Sequence, residues 1–201
     1  MEQIIVILLL GATIGVARWI YKEYVGNRNS NTKESKKNTL SIIKNSIEDY
    51  SKFRKFSENI EVKIDDSDST SLNEFIILRL SIINIFLFAR LGNHEGDLVM
   101  DKLVPETFTS YFDFIKAAGY DGSENTFFSE CQSVYNKRQS LYSKYSEKGL
   151  LSPGTITDLS SAFSDLLYHY HPKLGKNNLY TYSKIYIPGI ISSTFKISKD
   201  L

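Results

Sequence analysis

"SLNEFIILRLSIINIFLFARLG", residues 71–92, decides the fold. As a helix it is apolar on nearly every face, whereas a helix at a protein surface carries one apolar stripe. Two environments accept such a segment, the centre of a helical bundle and a bilayer. Arg79, Ser81 and Asn84 interrupt it. The uncharged stretch Leu80 to Ala89 is ten residues, well short of the roughly 20 that span a bilayer. The segment is therefore read as a central core helix. Ser71 and Glu74 have the spacing of a capping box at its start, and Gly92 is a natural stop. Arg79 inside such a helix requires a carboxylate or several carbonyls, because an unpaired buried charge costs several kcal/mol.

The flanking sequence is also helical in pattern. Leu40, Ile43, Ile47 and Tyr50 recur at helical spacing, giving a helix from Asn38 that fades near Phe56 or Ser57. Beyond Gly92, Asn93 to Gly96 reads as a turn. A helix from about Asp97 follows, disturbed at Pro105, which can open a new helix, and resuming to Ala118. Gly119 and Gly122 bracket another turn. Ser123 then caps a helix running to about Lys148 with Phe127, Cys131, Val134, Leu141 and Tyr145 on one face. After Pro153, Thr155 caps a helix whose stripe is Ile156, Leu159, Phe163, Leu166, Leu167 and Tyr170. The segment beyond Leu179 is rich in β-branched and aromatic residues and leans helical for want of a partner strand. Only Ile60 to Ile64 alternates like a strand. The fold class is all-α, a bundle of about six helices.

The amino terminus carries a second apolar run. Ile4 to Ala17 is fourteen residues without charge. The apolar pattern continues past Arg18 to Val25, about 33 Å of helix against a hydrocarbon core of roughly 30 Å. Trp19, Tyr21 and Tyr24 suit the interface, and Arg18 and Lys22 can extend their charged heads to it. Gly15, Val16 and Ala17 also offer small residues of the kind a signal peptidase reads, but Met1, Glu2 and Gln3 lack the basic residues of a secretory leader. Residues 1–25 are read as an uncleaved transmembrane helix, 26–37 as a basic polar tether, and 38–201 as the helical domain. Gly11 and Gly15, one turn apart, permit close helix packing and homo-oligomerisation in the membrane.

Charge agrees with this division. The net charge is +1, which argues against a general nucleic-acid binder. Arg18 to Lys55 nevertheless holds ten Lys/Arg against four Asp/Glu. Positive charge following the apolar run places the domain in the cytoplasm, with anionic lipid in reach of the tether. The single cysteine, Cys131, rules out an internal disulfide.

Few residues suggest chemistry. Asp65, Asp66, Asp68 and Glu74 imitate a calcium loop, but Ser71 and Ile77 stand where it needs Gly and Glu. His169 and His171 lie two apart and face different sides of a helix. Only His94 adds a further imidazole, so no metal site is expected. Arg90 and His94 are separated by three residues. The HEPN family of all-helical ribonucleases separates its Arg and His by four to six, so this string departs from that pattern and carries no catalytic role across. Walker loops, nucleophile elbows and H-E-x-x-H are absent from the sequence, and no cofactor is expected. The candidate binding residues are Arg79 and Asn84 on the core helix, His94, Glu95 and Asp97 after it, and His169 and His171. The sequence points to a single-pass membrane protein that acts by protein–protein interaction at the cytoplasmic face, in the manner of a defence or immunity factor or a membrane-complex subunit. The alternatives are a membrane-associated nuclease or hydrolase, and a helical binding domain exported after cleavage.

Overall fold

The computed structural model describes residues 30–64, 69–145 and 153–201. They form six α-helices and, among the described residues, no strand: α1 (Ser30–Asn59), α2 (Ser69–Leu91), α3 (Asn93–Ala117), α4 (Glu124–Tyr142), α5 (Pro153–Tyr170) and α6 (Lys176–Lys199). Short 3₁₀ turns follow α4 and α5. The transmembrane reading of residues 1–25, with Gly11 and Gly15, lies outside the described residues, as do Asp65, Asp66 and Asp68.

α2 is the axis, and its all-round apolarity has a direct cause. Ile76, Ile77, Leu80, Ile83 and Leu87 enter one core with α1, α3 and α4. Phe75, Leu78, Ile82 and Ile85 enter a second, with Phe163 of α5 and Ile190 of α6 among its members. Each such side chain contributes about 1.5–3 kcal/mol on full burial. By length and composition α2 is also apolar enough to cross a membrane, but two thirds of that stretch is buried within the domain. A core helix and a span share this composition because both bury every face.

Several boundaries differ from the sequence expectation. α1 begins at Ser30, inside the stretch read as a tether. Residues 60–64 form a turn and an irregular segment instead of a strand. Asn93 to Gly96 is the first turn of α3 and not a separate turn, so His94, Glu95 and Asp97 are helical. The break is one residue long. Gly92 has φ +80°, a left-handed conformation that glycine adopts without strain. Gly96 has a packing role, since a Cβ there would sit 3.3 Å from the Phe88 ring. Pro105 neither ends α3 nor starts a new helix. α4 stops at Tyr142, short of Lys148, and α5 starts at Pro153, two residues ahead of Thr155. Pro153 suits a first turn, where its missing N–H costs nothing. Ser123 does cap α4, accepting the Thr126 N–H at 3.2 Å. The carboxy-terminal segment is helical throughout, with Pro188 inside it.

The capping box at Ser71 and Glu74 is not formed as such. α2 starts two residues earlier, so both residues lie inside it and are buried. Their polar groups serve tertiary contacts. Ser71 Oγ lies 2.6 Å from His171 Nε2. Glu74 takes a fork from Arg138, Nη2 to Oε1 at 2.6 Å and Nε to Oε2 at 3.0 Å, and a third bond from the Tyr170 hydroxyl.

At the opposite end of α2 three termini converge. Arg90 Nη1 donates to the Ser198 carbonyl at 2.9 Å, and Asn38 Nδ2 donates to the Asp200 carbonyl at 3.3 Å. The early part of α1, the end of α2 and the end of α6 therefore meet at one end of the bundle, where α3 also begins.

Candidate functional site

A groove of about 470 Å³ opens between α2, α3 and α4. α2 supplies Asn84. α3 supplies Asp97, Asp101 and Pro105, spaced four residues apart on one face, with Met100 and Val104 beside them. α4 presents Gln132, Asn136, Gln139 and Ser140, also at helical spacing. Tyr135 is buried against this wall. Burial pushes its phenol above the ordinary range, a Gln139 hydrogen bond opposes this, and the Asp101 and Asp97 carboxylates add to it.

The wall is ordered by a relay of amides. Asn84 Nδ2 donates to Gln139 Oε1 at 3.0 Å, and Gln139 Nε2 donates to Ser81 Oγ at 3.1 Å. Ser81 Oγ donates back to the Ile77 carbonyl at 2.8 Å. Asn84 Oδ1 is buried and takes no donor among the described residues. On the α3 side, Pro105 has no N–H to give the carbonyl of Asp101 four residues before it. Asp97 and Asp101 are exposed, so the α3 wall carries two carboxylates. No Lys or Arg lines the groove among the described residues. The arrangement attracts positive charge and hydrogen-bond donors, and it holds no nucleophile paired with a base.

The other candidate residues fall elsewhere. Arg79 is not at the groove. It is almost wholly buried and forms an ion pair with Asp49 of α1. Its Nη1 also donates to Ser193 Oγ at 2.9 Å and Thr194 Oγ1 at 2.8 Å. Burial pulls its pKa down and Asp49 opposes the shift. His94 and Glu95 are exposed in the first turn of α3. His169 is exposed near the end of α5, and His171 packs on the Phe53 ring with centroids 5.5 Å apart. The structure thus brings Asn84 and Asp97 together and separates both from Arg79 and from the His169–His171 end. Among the described residues no group of His, Cys, Asp and Glu is placed to hold a metal. Ser71 and His171 are within the reach of a nucleophile and its base, but Ser71 is 0% exposed, so the pair holds α2 to the turn after α5.

Asp101, Gln132, Asn136 and Gln139 escaped the sequence reading. The signal was a polar stripe on α4 opposite its apolar one, together with Asp97, Asp101 and Pro105 at four-residue steps.

No family model, no curated protein and no solved structure matches this chain.

Proposed function

We propose that this chain is a membrane-anchored interaction module, with residues 1–25 as the anchor and the helical domain recognising a protein partner at the cytoplasmic face through the groove between α2, α3 and α4. The observation that supports it best is the placement of the groove. One edge of the groove, Asp97 in the second turn of α3, lies toward the end of the bundle where the early part of α1 meets the end of α6, and the groove runs from there along α3 to Pro105. An anchor preceding α1 holds this end toward the bilayer, and tethering raises the effective concentration of the domain for partners in the same membrane. The groove is lined by amides, carboxylates and a few apolar side chains, which suits recognition by hydrogen bonds.

A photo-crosslinking amino acid at Gln132 or Asn136, both exposed at the groove, tests this in native membranes. A discrete adduct is expected from these two positions and none from Thr181, exposed on α6. No adduct at the groove, or equal adducts at all three, contradicts the reading.

A further inference from the structure

We propose that the outer face of α6 lies on the bilayer and binds anionic phospholipid headgroups, seating the domain on the membrane that anchors it. This rests on the reading of residues 1–25 as an anchor, and it names a second surface, apart from the groove.

Charge marks the face. Phe56 to Leu201 holds fourteen Lys/Arg against eighteen Asp/Glu. Within that acidic background α6 carries four lysines and no acid. Lys176, at its start, pairs with Asp165 of α5. Lys184, Lys196 and Lys199 are exposed, and they share one side of the helix with Ile185, Pro188 and Phe195, which are exposed too. Ile185 is 65% exposed, more than any other large apolar side chain among the described residues. Lys199 Nζ sits 4.6 Å from the centre of the Phe195 ring. Lysines beside exposed apolar groups on one helix face suit a headgroup layer. The ammonium heads meet phosphate there, and the apolar groups reach the acyl boundary.

Position commits the face to lipid. Four residues, 26–29, separate the anchor from the start of α1 at Ser30, and even fully extended they span about 14 Å. α6 runs antiparallel beside α1. Asn38 Nδ2 donates to the Asp200 carbonyl at 3.3 Å, and the Tyr182 hydroxyl donates to the Asp49 carbonyl at 3.2 Å. Asn38 follows the start of α1 by about 12 Å of helix. The basic end of α6 is thus held close to the bilayer, and a helix beside α1 can lie along it. Such closeness is what the attraction needs, because the pull of anionic lipid on lysine fades within a Debye length, about 8 Å at physiological ionic strength.

The test uses the full-length protein reconstituted in vesicles of phosphatidylcholine with phosphatidylserine, and of phosphatidylcholine alone. A fluorophore is attached through Ser192→Cys on the α6 face or Ser133→Cys on α4, both exposed positions, and a nitroxide on the lipid headgroup quenches it. Cys131 is 1% exposed and its thiol is pushed up to about 12, so the introduced thiol is the one that reacts. The probe at Ser192 is expected to be quenched where phosphatidylserine is present, and the probe at Ser133 is not. Lys196→Gln with Lys199→Gln is expected to lower the ratio of docked to free domain about 25-fold, about fivefold per charge. Ile185→Ser is expected to lower it about tenfold. Lys102→Gln with Lys137→Gln, an equal loss of charge at exposed positions on α3 and α4, is expected to change nothing. Equal quenching at the two positions, indifference to phosphatidylserine, or an equal loss in the Lys102 and Lys137 pair overturns the inference. A Ser192 signal that rises with protein density and ignores phosphatidylserine assigns the face to a second copy of the chain, which also overturns it. Flotation of the same vesicles in high salt separates this result from the fate of the anchor. Protein that stays with the vesicles while Ser192 is unquenched keeps the anchor and removes the docking face. Protein that is quenched in low salt and leaves the vesicles in high salt removes the anchor and keeps the face.

Discussion

Asp49 of α1 and Arg79 of α2 form an ion pair in which the two side chains are only 7% and 2% exposed. The Tyr182 hydroxyl donates to the Asp49 carbonyl at 3.2 Å, and Ser193 and Thr194 accept from the guanidinium. One buried charge thus joins α1, α2 and α6. Breaking the pair from one side strands the other charge. Asp49→Ala is expected to destabilise the domain by about 3–5 kcal/mol, whereas Asp49→Leu combined with Arg79→Met recovers most of that loss. Urea denaturation of the two variants measures the difference. A single variant no worse than the double one contradicts the pairing.

Ser71 and Glu74 separate local from tertiary readings of the same residues. If Ser71 capped α2, the effect of Ser71→Ala would be independent of His171. Through the 2.6 Å contact to His171, Ser71→Ala and His171→Ala are instead expected to be non-additive, with a coupling of about 0.5–1.5 kcal/mol in a double-mutant cycle. Glu74→Ala removes the acceptor of Arg138 and Tyr170 together and is expected to cost more than Ser71→Ala.

Alkaline pH is expected to unfold the domain. Burial raises the phenols of Tyr135, Tyr142 and Tyr182, and pushes the Cys131 thiol up to about 12. The folded state therefore holds these protons more tightly than the unfolded chain does. Their stabilisation is complete below the ordinary thiol and phenol values, about 8.5 and 10. It declines as the pH rises past them toward the folded values. Denaturant midpoints taken at pH 8 and at steps up to about 11 are expected to fall only in the upper part of that range.

Tyr142 gives a sharper form of the same experiment. Its hydroxyl is buried and takes no partner among the described residues. Tyr142→Phe deletes an unsatisfied polar atom and is expected to be neutral or stabilising by about 1 kcal/mol at neutral pH, while flattening the alkaline decline. A loss of more than about 1 kcal/mol would show that the hydroxyl has a partner.

Pro105 is expected to cost the domain stability. Pro105→Ala restores a helical hydrogen bond and removes a ring clash, so the domain gains about 1–3 kcal/mol. Thermal unfolding of the variant beside the parent protein measures the gain. A less stable variant would mean that proline is needed for the packing of α3 itself.

The sequence was most legible where one interaction dominates. α2 is recognisable because no surface helix is apolar all round, and its place between two cores follows. Arg79's demand for a carboxylate was equally readable, but its partner was not, since Asp49 is 30 residues away and looks like any acid on a surface face. Short motifs misled where tertiary contacts outweigh local ones. Glu74 has capping spacing yet serves Arg138, and Gly96 resembles a turn residue yet lies in a helix because Phe88 needs the space. The groove was partly visible in Asn84 and Asp97. Its other wall, Gln132, Asn136 and Gln139, is a polar stripe on α4 that looks in sequence like any solvated helix face.

The most direct test of a membrane-tethered module is the intact mass of the protein recovered from cells, taken together with the fraction that holds it. A membrane-bound product retaining Glu2 is expected, with α1 to α6 shielded from protease until the cells are opened. A soluble product beginning near Arg18 would contradict it, and would place the groove and its partner outside the cytoplasm.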